Sequence, residues 1–388
     1  MAPAVINLRT ADDPRDVVHR AVEALAEGKL VALPTETVYG VAASALNEDA
    51  VARLIRIKGR ERGHPFTLAI RSAEDALDYV PELSPVARRL ARRCWPGPLT
   101  LVLNDTHPES LVRQLPPGVR GAVSPEGRVG LRVPAHDLAL SVLRLTAGPL
   151  ALTSANRSGA EETVTGQDVV RALGDGVDLV LDDGRSKFGQ PSSVVHVEGN
   201  LVRVLRTGVI SRTALRRLAS FILLFVCTGN TCRSPMAEVL MRRRVAERLG
   251  CAPGELEDRG VMIMSAGIAA MAGGQASPGA MQAMAELGWD LSHHESQPLS
   301  DRLVRFADLI LAMTHGHRET ILSQWPSAAP RCELVCRDQS EVADPMGGTL
   351  DDYRRCAQQI DRQLELWMST MDFSQVLAEP NLEEQETN

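Results

Sequence analysis

The feature that most constrains this chain is a run of seven apolar residues, Phe221-Ile-Leu-Leu-Phe-Val-Cys227, leading directly into Thr228-Gly-Asn-Thr-Cys-Arg-Ser-Pro235. Such a run predicts a strand covered on both faces, as in the middle of a parallel sheet. Loops at the carboxyl ends of these strands face the crevice where ligands bind. The loop then enters a helix, with Ser234 read as the N-cap and Pro235 as the first helical residue. Backbone N–H groups at such a junction form an anion nest, and Gly229 reads as the residue permitting its tight path. Arg233 brings a planar fork suited to two phosphate oxygens. Cys227 lies at the base of that positive field, which favours a nucleophilic thiolate, and the Ser234 hydroxyl can donate to it. A cysteine at a strand end is otherwise a packing residue. The strand before it, the helix after it and Gly-Asn between favour the nucleophile.

Strand and helix patterns alternate beyond this loop. A strand is predicted at 261–266, a helix at 278–288, a strand at 309–313 and a last helix at 350–370, which together read as a doubly wound parallel sheet. The stretch 376–388 is acidic and polar and is expected to be a disordered tail. Upstream, Asp13-Pro14 opens a helix and Gly28 closes it. Extended segments at 30–33, 129–133, 149–154, 177–183 and 201–206 interleave with helical ones, but not as a clean βαβ repeat. An α/β domain on a twisted mixed sheet is expected there. The expected organisation of the 388 residues is a first domain over 1–213, a second over 220–375 and the tail.

Charge separates the halves: 26 basic to 25 acidic residues over 1–213, and 16 to 24 over 214–388. Neither half has the basic excess of a non-specific nucleic-acid binder. The seven cysteines show no paired disulfide spacing, the first residues lack a signal-peptide pattern, and no stretch is apolar enough to span a membrane. A reducing, cytoplasmic setting without membrane attachment is the expectation.

The sequence CTGNTCRSPMAE resembles the signature loop of the low-molecular-weight protein phosphatases. SAG (265–267), the 290–296 stretch, ADLILAMTHGH (307–317) and ADPMGG (343–348) follow in that family's order. The resemblance implies a metal-free phosphatase acting on phosphoproteins through a phosphocysteine on Cys227. It makes Arg233 the phosphoryl clamp and Asp344 the general acid, then base. Thr228, Gly229, Asn230, Thr231, Cys232 and Ser234 complete the phosphate-binding loop. Thr231 resembles the protein-arginine phosphatase branch, where tyrosine phosphatases carry a larger aliphatic residue. Met346, where an aromatic residue is usual, departs from the pattern. Phosphoarginine is the favoured substrate and phosphotyrosine the alternative. An arsenate reductase, relaying a disulfide through Cys332 and Cys336, is a further alternative.

In the first half, PTETVYG (34–40), Lys58-Gly-Arg60, WPGPLT (95–100), GLRVPAH (130–136), TSANRSG (153–159), GQPSSVV (189–195) and VLRTG (204–208) contain no P-loop or GxGxxG pattern. Read as chemistry, they offer cations and hydroxyl-rich turns for an anionic ligand. In this order they resemble the threonylcarbamoyl-adenylate synthase family, with its YrdC-like fold. The resemblance implies condensation of L-threonine, bicarbonate and ATP, with magnesium on the ATP, to threonylcarbamoyl-AMP and pyrophosphate. That product would reach tRNA through a downstream transferase. It makes Lys58 and Arg60 a phosphate and carboxylate clamp, and Ser154 and Asn156 nucleotide and threonine contacts. Thr37 and Ser192 fall on the threonine side, Arg132 on its carboxylate and Arg206 on the nucleotide. AEETVTG (160–166) and His196 depart from the family pattern. A double-stranded RNA-binding module without catalysis is the competing reading.

Overall fold

The computed structural model describes residues 2–59, 65–373, 377, 379 and 380. It divides into two compact units, residues 1–218 with 379–388, and residues 219–378.

The first unit is built on a mixed sheet. Its strands are β1 (Ala4–Asn7), β2 (Val31–Leu33), β3 (Gly40–Ser44), β4 (Thr67–Ala69), β5 (Leu99–Asn104), β6 (Arg128–Arg132), β7 (Leu150–Ser154), β8 (Leu179–Asp182), β9 (Ser193–Glu198) and β10 (Leu201–Arg206). They lie in the order β1-β8-β2-β3-β7-β4-β6-β5-β9-β10. The sheet combines parallel pairs (β2 with β8, β4 with β6, β5 with β9) and antiparallel ones (β3 with β7, β5 with β6). The helix Pro14–Ala26 starts as the sequence predicts, with Asp13 accepting the Arg15 N–H. Its Val17, Ala21 and Leu25 pack on Val31, Leu33 and Leu179. Most of the 376–388 stretch lies outside the described residues. Glu379–Pro380 pairs in parallel with Leu201–Val202.

The second unit has a wholly parallel sheet, ordered β12 (Val261–Gly267), β11 (Phe221–Cys227), β13 (Leu309–Ala312), β14 (Cys332–Leu334). Every residue of β11 is buried. Its odd members Phe221, Leu223, Phe225 and Cys227 join a core with Met236, Leu240 and Ile360 from the helices Arg233–Leu249 and Leu350–Thr370. Its even members Ile222, Leu224 and Val226 join a second core with Ile310 and Ile321. The period of two of a strand thus feeds two apolar layers and sets the side on which the Cys227 thiol emerges.

Candidate functional sites

The loop after β11 is wired from within. Cys227 is 3 % exposed. Its Sγ lies 3.0 Å from Ser234 Oγ and accepts the Asn230 backbone N–H at 3.2 Å. Asn230 is fully buried with φ 55°, in the left-handed region that Asn tolerates. Its side-chain amide donates to Ser234 Oγ (2.9 Å) and Ser265 Oγ (2.8 Å) and accepts the Gln297 N–H (2.9 Å). The turn therefore belongs to Asn230. Gly229, to which the sequence assigned it, has no left-handed φ, and a Cβ there would meet only Thr231 Oγ1, at 3.6 Å. The glycine this loop requires is Gly267, the last residue of β12. A Cβ on it would come within 2.5 Å of the Thr228 carbonyl and 2.9 Å of the Asn230 nitrogen.

The helix begins at Arg233 with Cys232 in the capping position, two residues earlier than a Ser234 cap requires. The Ser234 hydroxyl is engaged by the thiol and by Asn230, so it does not cap. Arg233 is 5 % exposed. Its Nη2 donates to Asp344 Oδ2 at 2.5 Å and its Nη1 to the Val342 carbonyl at 3.3 Å. Its Nε is buried without a hydrogen-bond partner. A buried donor left open beside a thiol is suited to an incoming oxyanion. Asp344 is half exposed at the mouth, and Met346 is exposed beside it. Thr231 is half-buried, with Oγ1 3.7 Å from Cys232 Sγ, and Cys232 Sγ donates to Ser277 Oγ at 3.2 Å.

Other residues of the site had no role in the sequence reading. Ser265 Oγ donates to Glu238 Oε2 at 2.7 Å, and burial raises the Glu238 carboxyl. His294 Nε2 lies 2.8 Å from the Asn230 carbonyl. His317 bridges Thr228 Oγ1 (2.9 Å) and Thr314 Oγ1 (2.8 Å), and burial, then the Arg233 charge, pushes it down to about 4. SAG, the 290–296 stretch and THGH contain Ser265, His294 and His317, and CTGNTCRSPMAE ends on Glu238, but as short polar strings they imply no particular contact. A relay through Cys332 and Cys336 has little support. Both are buried, burial pushes Cys332 up to about 11 and raises Cys336, and Cys332 belongs to the opposite core from Cys227.

The site in the first unit is a cleft of about 420 Å³ that Thr37, Arg132, Ser154, Ser192 and Arg206 all line. Arg132 is nearly buried and spends its Nη2 on Glu36 Oε1 and Thr37 Oγ1, both at 2.8 Å. Glu36 Oε2 takes the Ala135 N–H at 2.9 Å. Arg206 Nη2 donates to the Ser192 carbonyl (2.9 Å) and Oγ (3.1 Å), and Thr100 Oγ1 meets Ser192 Oγ at 3.1 Å. Gly208 permits this arrangement, since a Cβ there would lie 2.2 Å from the Pro191 carbonyl oxygen. Desolvation lowers Arg206 from its ordinary value; Glu162 opposes this and Arg132 adds to it.

Lys58 and Asn156 stand behind the cleft. Lys58 is 2 % exposed, and its ammonium donates to the Ser154 carbonyl (2.8 Å), the Asn156 carbonyl (2.5 Å) and Asn156 Oδ1 (3.0 Å). A buried ammonium needs acceptors on every side, and the Ser154–Asn156 turn supplies them. Lys58 therefore holds that turn. Arg60 lies outside the described residues. Glu36 and Arg128, to which the sequence alone assigns no role, add further charge in and beside the cleft. Glu126 is paired with Arg128 at the exposed rim and Glu36 with Arg132 in the buried interior. His196, 5 % exposed, is lowered by desolvation and then by Arg128.

Two family models match the chain. The Sua5/YciO/YrdC model, described as Telomere recombination, matches residues 23–208, and that of low molecular weight phosphotyrosine protein phosphatase matches residues 222–377. A threonylcarbamoyl-AMP synthase of Pyrococcus abyssi is 40% identical over 169 residues, which are 44% of this chain and 47% of that protein. The chain thus spans about half the length of that relative. A putative threonylcarbamoyl-AMP synthase of Mycobacterium tuberculosis is 38% identical over 191 residues, 49% of this chain and 83% of that protein. A protein-arginine-phosphatase of Bacillus subtilis is 40% identical over 146 residues, 37% of this chain and 91% of that protein. Among solved structures, a doubly substituted form of P. abyssi Sua5 aligns with a TM-score of 0.50 at 30% identity, covering 64% of this chain and 74% of that one.

Proposed function

From the premise that residues 23–208 belong to the Sua5/YciO/YrdC family and residues 222–377 to the low-molecular-weight phosphatase family, we propose that this chain carries two catalytic activities. The first unit makes threonylcarbamoyl-AMP, and the second hydrolyses phosphoarginine on proteins.

The observation that carries the second activity is the buried Cys227 thiol within a loop whose Arg233 keeps an open Nε and faces Asp344. The thiolate attacks phosphorus and the P–N bond to the arginine breaks. Asp344 gives its proton to the departing guanidine. Arg233 and the loop N–H groups hold the equatorial oxygens throughout. Asp344 then takes a proton from water, which attacks the phosphocysteine and returns free thiolate and phosphate. Thr231 at the rim offers a hydroxyl to a planar, polar leaving group, and the identity to the Bacillus protein-arginine-phosphatase supports the same choice.

The first activity rests on a cleft where Arg132 and Arg206 converge with Thr37, Ser154 and Ser192. Threonine and bicarbonate give a carbamate and water, and the carbamate attacks the ATP α-phosphorus to release pyrophosphate. No step requires a protein nucleophile. The protein's part is orientation and charge neutralisation. Magnesium brought with the ATP would neutralise charge on the triphosphate. The product would pass to a separate transferase acting on tRNA.

The test of the phosphatase reading is phosphate release from matched phosphoarginine and phosphotyrosine peptides by the intact chain, Cys227→Ser and Thr231→Ile. The expected pattern is a phosphoarginine preference, lost in Cys227→Ser and shifted toward phosphotyrosine in Thr231→Ile. A phosphotyrosine preference in the intact chain would overturn the arginine assignment.

A further inference from the structure

The first unit has a second cavity, of about 520 Å³, that shares Thr35 with the cleft but holds none of the residues assigned to it above as ligand contacts. One wall is the start of the nine-residue helix Asp137–Leu145, whose capping residue His136 makes no side-chain cap bond. The first N–H donors of a helix and the positive end of its dipole suit an anion. Ser186 lines the same cavity. It is 8 % exposed and its Oγ has no hydrogen-bond partner. His136 Nδ1, also on this wall, is buried without a partner as well. Two buried polar atoms left open on one cavity call for a ligand that satisfies them.

The charges facing the cavity leave a positive remainder. Asp183 is engaged by Arg9 (3.8 Å) and His136 Nε2 (3.3 Å). Glu36 is engaged by Arg132 and the Ala135 N–H. Arg185 and Lys187 are exposed and have no ion-pair partner among the described residues, although Lys187 lies over the Phe188 ring at 5.4 Å. Among the described residues, Asp137 is the one carboxylate on this cavity outside those pairs, and it opposes these two cations.

We propose that this cavity is a binding site for a small phosphate-type oxyanion, inorganic phosphate or pyrophosphate. The anion would sit on the helix start at Asp137, between the Ser186 hydroxyl and the Arg185 and Lys187 cations. The site does not depend on either catalytic assignment.

The test is isothermal titration of the full chain with inorganic phosphate and, separately, with pyrophosphate. Arg233→Ala and Arg206→Ala are present throughout, to suppress anion binding at the Cys227 loop and in the cleft. Saturable binding is expected. Adding Arg185→Ala with Lys187→Ala weakens it at least tenfold, and adding Ser186→Ala weakens it severalfold, with the melting temperature unchanged by the two exposed substitutions. Tighter binding of pyrophosphate or of phosphate would identify which anion the site prefers, and either supports it. Binding undiminished by both sets of substitutions, or no saturable binding of either anion, would overturn it.

Discussion

The Cys227 loop and the cleft of the first unit both offer arginines to an anion, but they are built in opposite ways. Cys227, Asn230, Arg233 and Ser234 lie within one strand-loop-helix passage, where Cys227, Asn230 and Ser234 bond to one another. The cleft draws Thr37, Arg132, Ser154, Ser192 and Arg206 from separate segments, and its central ion pair joins residues 96 apart in sequence. A site made by one passage of chain inherits its geometry from local backbone preferences. A site made by many inherits it from the register of the whole sheet. The first should therefore fail chemically when mutated, and the second should fail by losing its shape.

The largest effect is expected at the nucleophile. Cys227→Ser should lower phosphatase turnover by on the order of 10⁴-fold while leaving the melting curve nearly unchanged, checked by peptide hydrolysis and calorimetry on one preparation. Asp344→Asn should cost about 10³-fold, and less for substrates whose leaving group needs no proton, measured across leaving groups of graded basicity. A uniform loss would remove Asp344 from the proton's path.

In the first unit, Arg132→Met should destabilise by about 3–5 kcal/mol, because it strands the buried Glu36 carboxylate. The double substitution with Glu36→Gln should recover part of that loss in denaturant melts. If Arg132→Met lowered synthase turnover with no change in stability, the contrast between the two sites would fail.

The smallest expected effect is in pH dependence. His317 is held near 4, below its ordinary 6.5. Between those values the unfolded chain binds a proton that the folded one refuses, so this residue's contribution to stability rises with pH across that window. His317→Gln should flatten the rise. Glu238, whose carboxyl is raised, acts in the opposite sense, its contribution being lost as pH rises. The difference between the intact chain and His317→Gln, melted across the window from about pH 4 to 6.5, isolates the histidine.

The same contrast explains what could be read from the sequence. The strand β11 and the placement of Cys227 and Arg233 at its end follow from an apolar run and a loop composition, because their causes are neighbours in the chain. Local misreadings came where one side chain had two possible uses: Ser234 serves the thiol where capping was expected, and Asn230 makes the turn assigned to Gly229. In the cleft, residue types alone supported only an anionic ligand, and the individual roles came from family resemblance. Glu36 and Lys58 show why. Each looks like a free charge in sequence, yet one is paired across the sheet and the other enclosed by a turn about a hundred residues away. The Ser265, Glu238 and His317 contacts are tertiary and leave no periodic trace.

The most direct test of two separate sites is to assay one preparation of the full-length Cys227→Ser variant for both activities, threonylcarbamoyl-AMP formation and phosphoarginine peptide hydrolysis. The account predicts synthase turnover equal to that of the intact chain, with peptide hydrolysis abolished. Loss of synthase turnover along with hydrolysis, in a variant with an unchanged melting curve, would contradict it.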